Sequence, residues 1–169
     1  MNIFRHRPNA APGLSVLALL IAVTGCSSAD DSAAAAVPSP GENAARLCRN
    51  LDKVLPEKVD GLEREDPEPR SALTAGWGGP AIILRCGVER PAKMVDPKVA
   101  NGDDPDAVGG GVNGVGWLME ELGGGKTRFT TSGRLAYVEV TVPKDRDDSA
   151  VLVDLAKPVK KAIPEGIAD

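Results

Sequence analysis

Histidine is almost missing from this chain of 169 residues: His6 is the only one, and it lies in the first few positions. Aromatic residues are scarce at 3%, and cysteine occurs only three times, at Cys26, Cys48 and Cys86. Each shortage excludes something. If the first 25 residues are removed on export, no imidazole base, no His-dependent triad and no His metal ligand remains. No G-x-S-x-G elbow and no S-x-x-K pair marks an activated serine. The chain also lacks a basic balance. Export would take Arg5 and Arg7 with it, leaving 20 minus 2 basic residues against 24 acidic ones, a formal charge of about −6. Nucleic acid and electrostatic adhesion to anionic lipid are therefore disfavoured as partners.

What is present begins with an address. Arg5, His6 and Arg7 form a basic head, Leu14 to Val23 is apolar, and Val23-Thr24-Gly25-Cys26 has the small-residue pattern of a lipobox. The apolar stretch is too short for a permanent span. These features predict a signal peptide over 1–25, cleavage before Cys26, and lipidation of that residue. Several acyl chains on one cysteine anchor stably where a single chain binds reversibly. The expected location is the outer face of the cytoplasmic membrane. Residues 26–38 are small, polar and poor in bulky apolar groups, which predicts a tether, and 39–164 are expected to form one folded domain.

Outside the cytoplasm, the two remaining thiols more often pair than stay free. Ser39-Pro40-Gly41-Glu42 resembles a capping box with proline at the first helical position, so a helix is predicted from there to Pro56. It places Cys48 on its apolar stripe with Ala44, Leu47, Leu51, Val54 and Leu55. Ala81 to Val88 alternates as a strand, with Cys86 on one side and Arg85 on the other. A Cys48–Cys86 disulfide would join helix to sheet.

Val59 to Glu63 is a candidate short strand. Trp117 to Leu122 is read as strand because glycine-rich segments bound it. Thr127 to Thr131 and Leu135 to Val142 flank Ser132-Gly133-Arg134 as a tight hairpin. A final helix, capped at Asp148-Ser149, carries Leu152, Leu155, Ala156, Val159 and Ile163, with Pro158 expected to kink or split it. The sum is an α+β domain: an antiparallel sheet of about four to five strands with N- and C-terminal helices on one face.

The patterns that look chemical do not hold. Gly109 to Gly114 satisfies G-x-G-x-x-G but has no strand before it and no helix pattern after it, so it reads as a flexible loop and not a dinucleotide site. Gly125-Lys126-Thr127 reads as a turn. Asp103, Asp104 and Asp106 fail the EF-hand register, which leaves a solvated loop. No cofactor and no metal is predicted, and no catalytic residue. Trp77, set among glycines, reads either as a binding anchor or as a core plug. For Arg85 three roles stay open: solvation, pairing with an acid, or contact with a partner. Trp77 and Arg85 are the candidate binding surface.

The segment Trp77-Gly78-Gly79-Pro80-Ala81-Ile82-Ile83-Leu84-Arg85-Cys86-Gly87-Val88 resembles an uncharacterised actinobacterial family, domain of unknown function family 3515. The similarity extends to Cys48–Gly61, Val112–Trp117, Thr130–Val142 and the last helix, while Asp96 to Gly111 reads as an insert particular to this chain. The resemblance implies an exported, often lipid-anchored protein with a paired cysteine, and it brings no activity. The leading expectation is a non-enzymatic module that binds a protein partner in the cell envelope. A sensor for a small molecule or envelope glycan is the alternative, and a histidine-free hydrolase using two carboxylates is the third.

Overall fold

The computed structural model describes residues 35–79 and 81–168. Cys26, the apolar stretch before it and most of the expected tether lie outside the described residues, as does Pro80. The element order is α1 (Glu42–Asp52), β1 (Lys58–Val59), β2 (Leu62–Glu63), β3 (Thr74–Trp77), β4 (Ile82–Val88), a 3-10 turn (Ala92–Val95), α2 (Pro97–Asn101), β5 (Ala107–Val112), β6 (Val115–Leu122), β7 (Lys126–Ser132), β8 (Tyr137–Pro143) and α3 (Asp148–Ala162).

The fold is α+β. Its main sheet is antiparallel and has six strands, in the order β3-β4-β8-β7-β6-β5. The count exceeds the expected four to five because β3 was not foreseen and the glycine run at 109–111 is not a loop but part of β5, while the candidate strand at Val59 to Glu63 is a separate hairpin of β1 and β2. Asn113 and Gly114 both have positive φ, 48° and 78°, the signature of a two-residue hairpin turn that Asn-Gly favours. That turn folds β5 back onto β6, and Gly109, Gly110 and Gly111 pair with it through their backbones.

Period-two alternation gives the sheet two chemically distinct faces. On one lie Ala75, Trp77, Ile82, Leu84, Cys86, Val115, Trp117, Phe129, Val138, Val140 and Val142, all buried in one cluster with Leu47, Cys48 and Leu51 of α1 and Val151, Leu155 and Val159 of α3. Both long helices thus cover the same face. Each fully buried aliphatic side chain contributes about 1.5–3 kcal/mol, and ordering the chain offsets most of that sum. The disulfide joins Cys48 of α1 to Cys86 of β4, with Cα atoms 5.5 Å apart.

Three local expectations are corrected. Helix α1 begins at Glu42 with Gly41 as its N-cap, and ends at Asp52. Pro40 stays outside the helix because its ring lies over Gly87: a Cβ built there would meet Pro40 Cγ at 2.5 Å. Gly87 also has φ of 86° and forms the bulge that shifts β4 against β8, so glycine is required there on two counts. The loop between β7 and β8 is wider than a tight hairpin. The C-terminal tail props it open: Leu135 N–H donates to Pro164 O and Gly166 N–H to Gly133 O, both at 3.0 Å. Buried Arg134 completes the clasp with bonds to Ile163 O at 3.1 Å and Gly114 O at 2.8 Å. Packing therefore continues past Pro164. Lastly, α3 runs through Pro158 without a split, capped by Asp147, whose Oδ1 accepts from Ser149 N–H at 2.9 Å and Ala150 N–H at 3.2 Å. One hydrogen bond lost to proline is outweighed by the buried stripe on both sides of it.

Candidate functional site

The second face of the sheet carries no long helix. Strand alternation puts Arg85 there from β4, Glu139 from β8, Thr130 and Arg128 from β7 and Glu120 from β6. Register then makes the pairs: Arg85 lies directly opposite Glu139, and Arg128 directly opposite Glu120. Arg85 Nε donates to Glu139 Oε1 at 2.9 Å, and Arg128 holds Glu120 at 3.0 Å through both Nε and Nη2. Beyond Glu120, Lys93 donates to both oxygens of Asp104 at 2.9 and 2.8 Å. Six charges thus alternate in sign across this face. The acids sit low, with side-chain exposures of 11%, 8% and 9%, and the bases lie over them at 30%, 32% and 34%.

The charges perturb one another. The hydrogen bond that Arg128 donates to Glu120 raises the Arg128 pKa, with Glu120 and Glu139 adding through space and burial opposing. The bond to Asp104 raises Lys93. Conversely, Lys93 first and the Asp106 N–H second hold the Asp104 carboxyl below its ordinary value of 3.8. A depressed carboxyl stabilises the fold above its unfolded pKa, and that contribution is lost as pH falls through the lower folded value. Asp104→Asn is therefore less stable than the parent near neutrality, and the gap closes on acidification below about pH 4; urea unfolding across pH measures it.

Beside the row lies a groove of about 650 Å³, whose lining includes Arg85, Arg90, Arg128, Glu139 and Tyr137 and whose rim is the segment Ala36 to Gly41. Arg85 Nη1 donates to Ala36 O at 3.5 Å. The last part of the expected tether, from Ala35, is thus seated against the domain. Thr130 Oγ1, buried between the two arginine–glutamate pairs, has no partner among the described residues.

The sequence candidates fare differently. Trp77 is fully buried, and its Nε1 donates to Pro56 O at 3.0 Å. It plugs the core and lines no surface, which corrects the anchor reading: adjacent glycines admit the strand and the loop over it, not a ligand. Arg85 is half-buried, bonded to an acid and part of the groove. Arg90, Arg128, Glu120 and Glu139 were missed; the signal was there in Glu139, the one charge within the apolar alternation of β8. Asp104 is paired, not solvated. Among the described residues no group of three or more His, Cys, Asp or Glu side chains is placed to hold a metal.

The fold and this face define a small α+β domain with one helix-covered face and one charged face. The chain belongs to the family described as Protein of unknown function (DUF3515), whose model matches residues 11–168. No curated protein and no solved structure matches it.

Proposed function

We propose that this protein is a non-enzymatic interaction module of the cell envelope, anchored by lipid on Cys26 to the outer face of the cytoplasmic membrane, and that it binds a protein partner through its charged face around Arg85. The observation that carries this reading is the asymmetry of the sheet. One face is sealed by α1 and α3, whereas the other presents a row of arginine–carboxylate pairs beside a groove. Arginine is enriched at interface centres because its planar fork makes several directed bonds. The two glutamates on this face are each engaged by an arginine, which leaves no free carboxylate pair there for general acid–base work.

The anchor constrains the partner. Ala35 lies nine positions after Cys26, a reach of at most about 32 Å when extended. A lipidated chain therefore holds its groove close to the bilayer, and the partner belongs to the membrane surface. No helix among the described residues is long and apolar enough to cross a membrane. The test is fractionation of cells and chemical cross-linking of the tagged full chain. Cys26→Ala releases the protein from the membrane fraction. Arg85→Ala remains in that fraction and loses its cross-linked partner. Membrane retention of Cys26→Ala would remove the anchor, and an undiminished partner in Arg85→Ala would remove the charged face.

An alternative reading is a sensor for an anionic small molecule or envelope glycan. It is favoured by the three arginines that line one groove, and direct binding by calorimetry separates it from the protein-partner reading.

A further inference from the structure

We propose that two copies of this chain pair edge to edge through β5, antiparallel, with Asp106 of each copy meeting Lys160 of the other. Glu121 N–H donates to Asp106 O at 2.9 Å, so Asp106 and Glu121 form a hydrogen-bonded antiparallel pair. Such pairs alternate along a ladder. With the observed register, Val108, Gly110 and Val112 turn their N–H and C=O toward β6, and Gly109 and Gly111 turn theirs outward. Among the described residues nothing pairs with those outward groups.

An exposed edge of this kind templates strand addition, and proteins usually blunt it with lysine, proline, a bulge or a covering loop. Here β5 has none of the first three: it reads AVGGGV, its register with β6 is unbroken, and residues 108–111 are exposed. A Cβ added at Gly109 or Gly110 would meet no atom within 4 Å. The opposite edge of the same sheet is closed, because Glu65 N–H donates to Gly76 O and Gly78 N–H to Glu63 O. One edge is covered; on the other, α2 packs near the start of β5, while residues 108–111 stay exposed.

Charge selects a second copy as the occupant. The start of β5 is acidic, with exposed Asp103 and Asp106. Its far end is basic: exposed Lys160 reaches over from α3 and donates to Asn113 O at 3.1 Å. When two β5 strands run antiparallel with Gly109 facing Gly109, Asp106 lies opposite Val112 of the other copy, one residue from that copy's Asn113 and within reach of its Lys160. The acidic end of each meets the basic end of the other, twice, as an isologous interface requires. The pairing is independent of the charged-face reading, since it leaves Arg85 and its groove free.

Native mass spectrometry of the purified full chain in mild detergent, over a wide concentration range, tests it. The wild type gives a dimer whose share rises with concentration. Asp106→Lys weakens it by about tenfold or more in dissociation constant, since two attractive pairs become repulsive. The double variant Asp106→Lys with Lys160→Asp restores it, which no folding defect would do. Gly109→Pro removes an outward N–H that β6 does not use and abolishes the dimer. A wild type that is monomeric throughout overturns the proposal. So does a dimer that survives both Asp106→Lys and Gly109→Pro.

Discussion

Cys48→Ser lowers the unfolding free energy by about 4 kcal/mol, and Cys86→Ser does the same. The bridge closes a loop with a sequence separation of 38 residues, and the chain-entropy relation for a loop of that size gives a loss of about 4 kcal/mol. The partner thiol left behind is not an expensive orphan, since both cysteines sit in an apolar cluster, each 1% exposed, where free cysteine is well tolerated. The double variant therefore costs little more than either single. This lack of additivity distinguishes a bond from two independent packing residues. Denaturant unfolding of the three variants decides it; two separate, additive losses would mean that the pair contributes only by packing.

Trp77→Ala costs a comparable amount, about 3–5 kcal/mol. Trp77 is among the largest fully buried side chains, at 0% exposure, and it packs on the helix-covered face in register with Ile82. Truncation leaves a cavity that the rigid β3–β4 pair cannot collapse, and it strips the Pro56 carbonyl of its donor. Trp77→Phe retains most of the volume and loses the N–H, so its cost is smaller. Because Trp77 lies on the face away from Arg85, Trp77→Phe leaves partner capture unchanged. Loss of capture in a stable Trp77→Phe protein would return Trp77 to the binding surface.

Legibility of the fold followed side-chain pattern. Ala136, Val138, Val140 and Val142 alternate without a fault, and each is completely buried. Helix α3 announced itself through Leu152, Leu155, Ala156 and Val159. Where the side chain is absent, that signal fails. Gly109 to Gly111 give no periodicity, so the edge strand was invisible to it, although Asn113-Gly114 marked the hairpin locally. Pro40 looked like a helix start on local grounds, but its place is set by Gly87, far away in sequence. The candidate site was legible only in part for a related reason. Arg85 could be assigned to the face opposite Cys86 from alternation alone. Its pairing with Glu139, and that of Arg128 with Glu120, depends on strand order and register, which no single segment contains. Trp77 was ambiguous because glycine neighbours serve a tight strand crossing as well as a ligand.

The most direct measurement of the central claim is site-specific photo-cross-linking in living cells, with the photoreactive residue replacing Arg90 in the groove or Lys157 on the exposed side of α3. Both positions are exposed, so each is free to report a neighbour. A discrete adduct with a membrane-surface protein from position 90, absent from position 157 and lost with Arg85→Ala, is the predicted result. The same adduct from position 157 alone, or an adduct at 90 indifferent to Arg85, would contradict the assignment of the charged face as the working surface.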